Sequence, residues 1–112
     1  MKKQLSQPTK FEMACYDVLS QVPRGKVTTY QLLAKAVGTK APRAVGNAMG
    51  KNPFMPQVPC HRVVKSDGAI GGHAKGPKAK ERILRREGLK IENGRVANFK
   101  GVLFVPRKIS QR

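Results

Sequence analysis

The stretch PQVPCHRVV, residues 56–64, places a thiol and an imidazole side by side in an apolar segment bracketed by prolines. Each proline fixes its own φ and pushes the residue before it towards an extended conformation. We therefore predict a stiff, non-helical segment around Cys60, followed by a short strand at Val63-Val64. A cysteine at the mouth of such a segment is positioned for reaction. The alternative is a small buried hydrophobic residue, which is the commoner role of a lone cysteine.

The charge of the chain points to a polyanionic partner. The 112 residues suffice for one domain with a single modest core, and they carry a formal net charge of +17. Lys and Arg are spread from Lys2 to Arg112, and each phosphate that they neutralise would release counterions. A solvated, lysine-rich surface is the alternative. We expect no membrane partner, because no apolar run approaches the roughly 20 residues of a spanning helix and no signal peptide opens the chain.

Cysteine and histidine usage argues against a disulfide framework or a metal site. Cys15 and Cys60 are the two cysteines, there are two histidines, and no Cys-x-x-Cys spacing occurs. We expect no metal, no cofactor and a reducing compartment, where a free thiol persists. Cys15 falls on the apolar face of a predicted helix, so we expect it in the core.

The first half of the chain is predicted to be helical. Thr9 is a candidate N-cap with Glu12 as its capping-box partner. The spacing of apolar residues predicts helices over Lys10–Gln21, from Thr28 or Thr29 to about Val37 before Gly38, and from Ala41 to about Lys51 with Pro42 in its first turn. The second and third of these form a helix-turn-helix arrangement.

The second half mixes short strands with one helix. Its predicted elements are a hairpin of Val63-Val64 with Ala69-Ile70 across Ser66-Asp67-Gly68, a flexible loop over Gly71–Gly76, a helix from Pro77 to about Glu87, a hairpin of Ile91 and Val96 across Asn93-Gly94, and a strand over Val102–Val105. The helix is expected to turn Lys80, Arg82, Arg85 and Arg86 outward.

Five blocks of sequence carry a resemblance to a known family. They read VPRGKVTTY (22–30), RAVGNAM (43–49), NP (52–53), PCHRV (59–63) and EG (87–88). In this order and spacing the chain resembles the DNA-binding, active-site domain of the O6-alkylguanine-DNA alkyltransferases. The expected fold is mainly α with small β elements, a winged helix-turn-helix DNA-binding domain plus a short C-terminal β hairpin. Residues 1–8 would be a flexible basic N-terminus, 9–89 the alkyltransferase domain, and 90–112 an extension packing on it.

The resemblance implies a DNA-repair activity with a single turnover. An alkyl (methyl) group would pass irreversibly from O6-alkylguanine in double-stranded DNA to Cys60, after nucleotide flipping through the minor groove. The protein would be an intracellular monomer, in the cytoplasm or nucleoid, or in the nucleus of a eukaryote. The alternative is a non-catalytic module that binds DNA or lesions. Non-reactive relatives carry tryptophan in place of the cysteine, whereas this chain keeps Cys60 and has no tryptophan.

The resemblance also assigns catalytic roles. Cys60 would be the nucleophile, His61 would take its proton through a water, and Glu87 would orient His61. Asn52 would tie the third helix to the active-site loop. From its position alone, Glu87 is a solvated charge at a helix end.

The third helix has little side-chain bulk, and an internal Gly46 costs about 1 kcal/mol relative to alanine. Close helix packing is one explanation, and entry into a narrow groove is the other. The residues that the resemblance places on DNA are Arg43 as the finger, Tyr30, Ala44, Gly46 and Lys51. Without it, Arg43 is a plain phosphate contact and Tyr30 a half-buried aromatic.

A base pocket is expected from Tyr30, Val63, His73, Ala74 and Lys75. The family usually has tyrosine where this chain has His73, and other residues where it has Ala74-Lys75. The range of lesions, methyl or bulkier, is therefore left open.

Overall fold

The computed structural model of the protein describes residues 7–54, 57–71 and 77–108. Along the chain these form α1 (Lys10–Leu19), β1 (Thr28–Thr29), α2 (Tyr30–Val37), α3 (Pro42–Gly50), a 3-10 turn (Cys60–Arg62), β2 (Val63–Val64), α4 (Pro77–Arg86), β3 (Ile91–Glu92), β4 (Arg95–Val96) and α5 (Phe99–Val102). The flexible N-terminus expected at 1–8 lies outside the described residues except for its last two. The flexible loop expected over Gly71–Gly76 lies outside them after Gly71.

Helix α1 begins at the capping box that its sequence predicts. Thr9 Oγ1 accepts the Glu12 N–H and Glu12 Oε1 accepts the Thr9 N–H, both at 3.0 Å. The helix ends at Leu19, two residues before the predicted end. Cys15 is fully buried on its inner face, as predicted.

Helices α2 and α3 form the predicted helix-turn-helix. Thr29 caps α2 by accepting the Leu32 N–H at 3.0 Å, and Gly38 ends the helix with φ of 95°. The Tyr16 hydroxyl donates to the Ala48 carbonyl at 2.8 Å and ties α1 to α3. The three helices bury a first core cluster between them. Together with the short strands they make a mainly α, winged helix-turn-helix domain with a small C-terminal β hairpin, as predicted.

Strand β2 does not pair as predicted. It runs parallel to β1, with Thr28 opposite Val63 and Thr29 opposite Val64, while Ala69 bridges Arg95. Successive strand residues face opposite sides, and Val63 lies in the first core cluster whereas Val64 lies in the second. Val63-Val64, buried on both faces, thus pair with β1 and not with Ala69-Ile70, although the Lys65 N–H donates to the Ala69 carbonyl at 2.9 Å across the predicted turn.

The second core cluster lies between β2, α4 and the C-terminal hairpin. Its buried members are Val27, Val64, Ile70, Leu84, Leu89, Ile91 and Val96. The hairpin is confirmed, with Ile91 opposite Val96 and the turn residues Asn93 and Gly94 at φ of 53° and 75°.

The strand predicted over Val102–Val105 is wrong. Val102 ends helix α5, and its N–H donates to the Asn98 carbonyl at 3.2 Å. Only Leu103 makes a bridge, parallel to Val27. Contacts with Val27, whose N–H donates to the Val102 carbonyl at 3.0 Å and whose carbonyl accepts the Phe104 N–H at 2.7 Å, hold this apolar run beside β1 without a regular strand.

Helix α4 runs from Pro77 to Arg86, and Gly88 follows with φ of 98°. The predicted outward orientation of Lys80 is wrong, because Lys80 is 1% exposed. It stands one turn before the buried Leu84, on the same face of the helix. None of the helices in the described part of the chain has the length and apolar character to cross a membrane.

Candidate active site

A single 3-10 turn carries Cys60, His61 and Arg62, so the predicted non-helical segment is wrong at these residues. The Arg62 N–H donates to the Pro59 carbonyl at 2.9 Å, and the Val63 N–H donates to the Cys60 carbonyl. With three residues per turn, successive side chains point about 120° apart. The turn therefore aims a thiol, an imidazole and a guanidinium in three directions from one short piece of backbone.

Glu87 joins two of these side chains. His61 Nε2 lies 2.9 Å from Glu87 Oε2. Arg62 donates to the same carboxylate through Nε at 2.9 Å and Nη2 at 2.7 Å, and its Nη1 donates to the Val22 carbonyl at 2.9 Å. The side chains of His61 and Glu87 are 5% and 6% exposed. The family resemblance implied the pairing of His61 with Glu87, but not that Arg62 binds the same carboxylate.

Charge and burial oppose each other in this cluster. Burial raises the pKa of Glu87, but hydrogen bonds from Arg62 and His61 outweigh it and leave the pKa below its ordinary value. Burial and, to a smaller extent, the charges of Arg62 and Lys80 leave the pKa of His61 below its ordinary value, although Glu87 raises it. Glu87 is therefore an ionised acceptor beside a neutral imidazole, so His61 Nε2 carries the proton that is donated to Glu87.

Cys60 lies just beneath the surface, 9% exposed, at the edge of the apolar core cluster that also contains Cys15. An ionised Cys60 would raise the pKa of both Tyr30 and Lys80, so the phenol and the ammonium lie within electrostatic reach of the sulfur. Burial lowers the pKa of Lys80 to about 8. Sequence reasoning missed the burial of Lys80. Its spacing of four residues from the apolar Leu84 was the signal that places both on one helix face.

Asn52 joins the end of α3 to the segment before the turn. Its side-chain amide donates to the Val58 carbonyl at 2.8 Å, and its side-chain oxygen accepts the Phe54 N–H at 2.9 Å. The side chain thus satisfies backbone groups of a tight turn. It positions Val58, two residues before Cys60.

The expected base pocket is described only in part. His73, Ala74 and Lys75 lie outside the described residues. The Val63 carbonyl accepts a hydrogen bond from Lys80 Nζ at 2.7 Å, and the Cys60 carbonyl accepts the Val63 N–H.

Helix α3 presents a slim outer face. Arg43 and Asn47 are exposed on it, and Ala44 and Gly46 are half-buried. Tyr30, Pro42, Arg43, Gly46 and Asn47 line an open depression of about 360 Å³. A Cβ on Gly46 would meet the Tyr30 ring at 3.9 Å, an ordinary contact, so close packing does not require this glycine. Sequence reasoning did not name Asn47.

Lys51, at the other end of α3, makes an ion pair with Glu12 of α1 at 3.5 Å. Its side chain is 70% exposed, so the pair is a weak surface contact. No cluster of three or more His, Cys, Asp or Glu side chains that could hold a metal occurs within residues 7–54, 57–71 and 77–108.

Fold and site together define a winged helix-turn-helix domain that carries a cysteine, a histidine and a glutamate in one buried constellation. A sequence model described as "6-O-methylguanine DNA methyltransferase, DNA binding domain" matches residues 10–89. The chain belongs to this family.

A named relative and a solved complex illustrate the similarity. A methylated-DNA–protein-cysteine methyltransferase of Methanothermobacter thermautotrophicus is 42% identical over 84 residues, which are 75% of this chain and 47% of the relative. Mycobacterium tuberculosis OGT in complex with DNA is 35% identical with a TM-score of 0.70, over 72% of this chain and 51% of that one. The chain spans about half the length of the curated relatives it matches.

One similar structure has nearly the length of this chain. Schizosaccharomyces pombe Atl1, in complex with damaged DNA containing O6-carboxymethylguanine, is 31% identical with a TM-score of 0.75. The match covers 85% of this chain and 94% of Atl1.

Proposed function

We propose that this protein repairs DNA by transferring an alkyl group from O6-alkylguanine in a duplex to Cys60. The observation that carries this function is the hydrogen bond between Glu87, which follows α4, and His61, which shares its turn with Cys60. A nucleophile, a base and a group that orients the base are thereby assembled in one place. The relatives named as methylated-DNA–protein-cysteine methyltransferases support the same chemistry.

The reaction is a displacement at carbon. His61 takes the Cys60 proton through a water, at the ring nitrogen that does not face Glu87. The thiolate then attacks the alkyl carbon, so that a carbon–sulfur bond forms as the bond between carbon and guanine O6 breaks. The proton passes to the released guanine, which balances the reaction. The thioether has no leaving step, so each molecule acts once.

The α3 face supports the DNA-binding half of this function. A nucleotide must leave the duplex to reach Cys60, at a cost of a few kcal/mol. The slim helix would enter the minor groove with Ala44 and Gly46 near the backbone, and Arg43 would fill the gap in the stack. Tyr30 lines the same depression and lies within electrostatic reach of Cys60, so it would turn the base towards the sulfur. Lys51 would bind phosphate.

The domain boundaries belong to the same proposal. Residues 9–89 would form the DNA-binding and active-site unit, and 90–112 an extension that covers its second core. The burial of Ile91 and Val96 beside Val64 and Leu84 supports this division.

One observation favours a second candidate, a module that binds damaged DNA without chemistry. The chain matches almost the whole of Atl1, which was solved with damaged DNA, but only half of the methyltransferases. Both functions predict DNA binding that weakens with salt. Binding assays therefore do not separate them.

Intact-protein mass spectrometry separates the two functions. The protein is incubated with a slight excess of a duplex containing O6-methylguanine, at a salt concentration where binding is saturated. We expect the mass of one CH2 group to be added to every molecule, and nothing to be added to Cys60→Ser. Unchanged mass under saturating binding would favour the non-catalytic module.

Arg43→Ala tests the flipping step. We expect slower transfer from the duplex and little change with a free O6-alkylguanine base, because only the duplex requires a finger. A suitable control is Arg95→Ala, which removes an exposed arginine paired with Asp67. Equal slowing on both substrates would contradict the finger role.

A further inference from the structure

The buried carboxylate at the site has two cationic or potentially cationic neighbours, and their chemistry differs. Arg62 is always protonated, whereas His61 gains or loses a proton near neutral pH. Arg62 occupies Glu87 with a two-pronged contact at 2.9 and 2.7 Å, and His61 shares the oxygen that takes the shorter of these bonds. The carboxylate is thus already neutralised before the imidazole adds a charge.

The anchoring of Arg62 is unusually complete. Its third nitrogen donates to the Val22 carbonyl at 2.9 Å, so all of the guanidinium nitrogens are bound to protein. Its side chain is 16% exposed and that of Glu87 is 6% exposed. A planar guanidinium gives this two-pronged geometry with a carboxylate, and a lysine does not. The contact fixes the carboxylate in place as well as neutralising it.

From this geometry we infer that Arg62 is a positioning residue, which keeps Glu87 ionised and leaves His61 uncharged with its proton on Nε2. His61 Nδ1 is then a free lone pair, available to accept the Cys60 proton. Without Arg62, the buried carboxylate would draw a proton onto His61, and the imidazolium would no longer act as a base. This role rests on the alkyl-transfer function proposed above, and adds to it a residue that touches no substrate.

The other cation near His61, Lys80, acts on its pKa in the same direction as Arg62. Lys80 of α4 and Arg62 on the turn both lower the pKa of His61, burial lowers it most, and Glu87 after α4 raises it. Cys60 is the adjacent titratable group on the turn. Arg62 differs from Lys80 because it also binds Glu87, the group that raises the pKa of His61. Removal of Arg62 would therefore take away a cation and also leave the charge of Glu87 to act on His61 alone.

The titration of His61 in the DNA-free protein is the direct test. Nitrogen-15 NMR of the imidazole reports both the midpoint and the tautomer, and a His73→Gln background leaves His61 as the single histidine of the chain. In the parent we expect a neutral ring at pH 7 with its proton on Nε2. In Arg62→Gln we expect the midpoint to move to higher pH, and in Arg62→Lys we expect a midpoint between the two. Arg95→Gln, which removes an exposed arginine from the Asp67 pair, should leave it in place.

The pH dependence of methyl transfer gives the second readout. In Arg62→Gln the acid side of the profile should move to higher pH, so that the rate at pH 6 relative to pH 8.5 falls about tenfold. A uniformly lower rate at all pH values would indicate a merely structural role and would overturn the inference. If the parent transfers no methyl group, the proposed function fails, whereas the NMR titration still decides the role of Arg62.

Arg62→Gln removes three hydrogen bonds and could leave the protein unfolded. In that case the parent protein decides through the Arg62 Nε–H signal, which a buried ion pair protects from exchange. We expect this signal to shift with the same midpoint as the His61 ring. An Arg62 signal that does not shift as His61 titrates, or a His61 ring that is charged at pH 7, would overturn the inference.

Discussion

The two cysteines of this protein belong to one apolar core cluster, but they differ in exposure and in the polar groups near them. Cys15 is fully buried on α1 among apolar side chains, and burial raises its pKa to about 11. Cys60 is 9% exposed on a 3-10 turn, with His61 beside it and Tyr30 and Lys80 within electrostatic reach. If Cys60 is the nucleophile proposed above, burial alone does not make a thiol inert. What matters is whether the surroundings can take its proton and carry the resulting charge.

Selective alkylation of the two thiols is the largest expected effect. With iodoacetamide at pH 7.5, we expect Cys60 to react on the order of 1,000-fold faster than Cys15, because thiolate is the reactive form and Cys15 is almost entirely protonated. Peptide mass mapping over time measures both rates in one sample. In urea the two rates should become similar. Similar rates in the folded protein would contradict the distinction between the two regions.

Glu87→Gln tests whether the carboxylate of Glu87 helps His61 to act as a base. We expect methyl transfer to slow about 10- to 100-fold, because an amide holds His61 less firmly and no longer stabilises its charged form. The affinity for DNA should stay nearly unchanged. Glu81→Gln is the matched control, since Glu81 lies on the same helix in an exposed pair with Arg85. An unaltered rate in Glu87→Gln would remove Glu87 from the site.

Lys80 makes the stability of the Cys60 region depend on pH. Its pKa is about 8 in the folded protein against an ordinary 10.5, so the unfolded state holds more protons between these values. Stability therefore rises with pH across this window, by about 2 kcal/mol between pH 7.5 and 9.5. Urea unfolding should show this gain in the parent and not in Lys80→Met. If the free energy of unfolding of the two proteins changed with pH in the same way, the lowered pKa of Lys80 would be contradicted.

The cap of α1 tests whether the Cys15 region is purely structural. Thr9→Ala removes the hydroxyl that accepts the Glu12 N–H, and we expect a loss of about 1 kcal/mol in the free energy of unfolding. The alkylation rate of Cys60 should not change below the unfolding transition. Slower alkylation of Cys60 in the fully folded variant would mean that the two regions are coupled.

The sequence was a better guide to the Cys15 region than to the Cys60 region, for a physical reason. Caps such as Thr9 and Gly38 and the turn Asn93-Gly94 are local signals, and the elements that they delimit lie where predicted. The partner of β2 and the burial of Lys80 depend on contacts between residues 17 or more apart in the chain. Such contacts leave little local trace.

Prediction of the candidate site divides in the same way. The family resemblance implied that Cys60, His61 and Glu87 are a nucleophile, a base and an orienting group, and the structure places His61 against Glu87. The attachment of Arg62 to the same carboxylate did not follow from the pattern, because adjacent residues of an extended segment face opposite sides. The 3-10 turn changes that geometry. Its backbone hydrogen bonds cannot be predicted from any single residue type.

The most direct measurement of the central claim is site-resolved detection of the transferred group. The protein is reacted to completion with a duplex containing O6-methylguanine and then digested, and the peptides that contain each cysteine are analysed by mass spectrometry. We predict S-methylcysteine at position 60 in every molecule and none at position 15. An unmodified Cys60, or methyl groups on Cys15, would contradict the account.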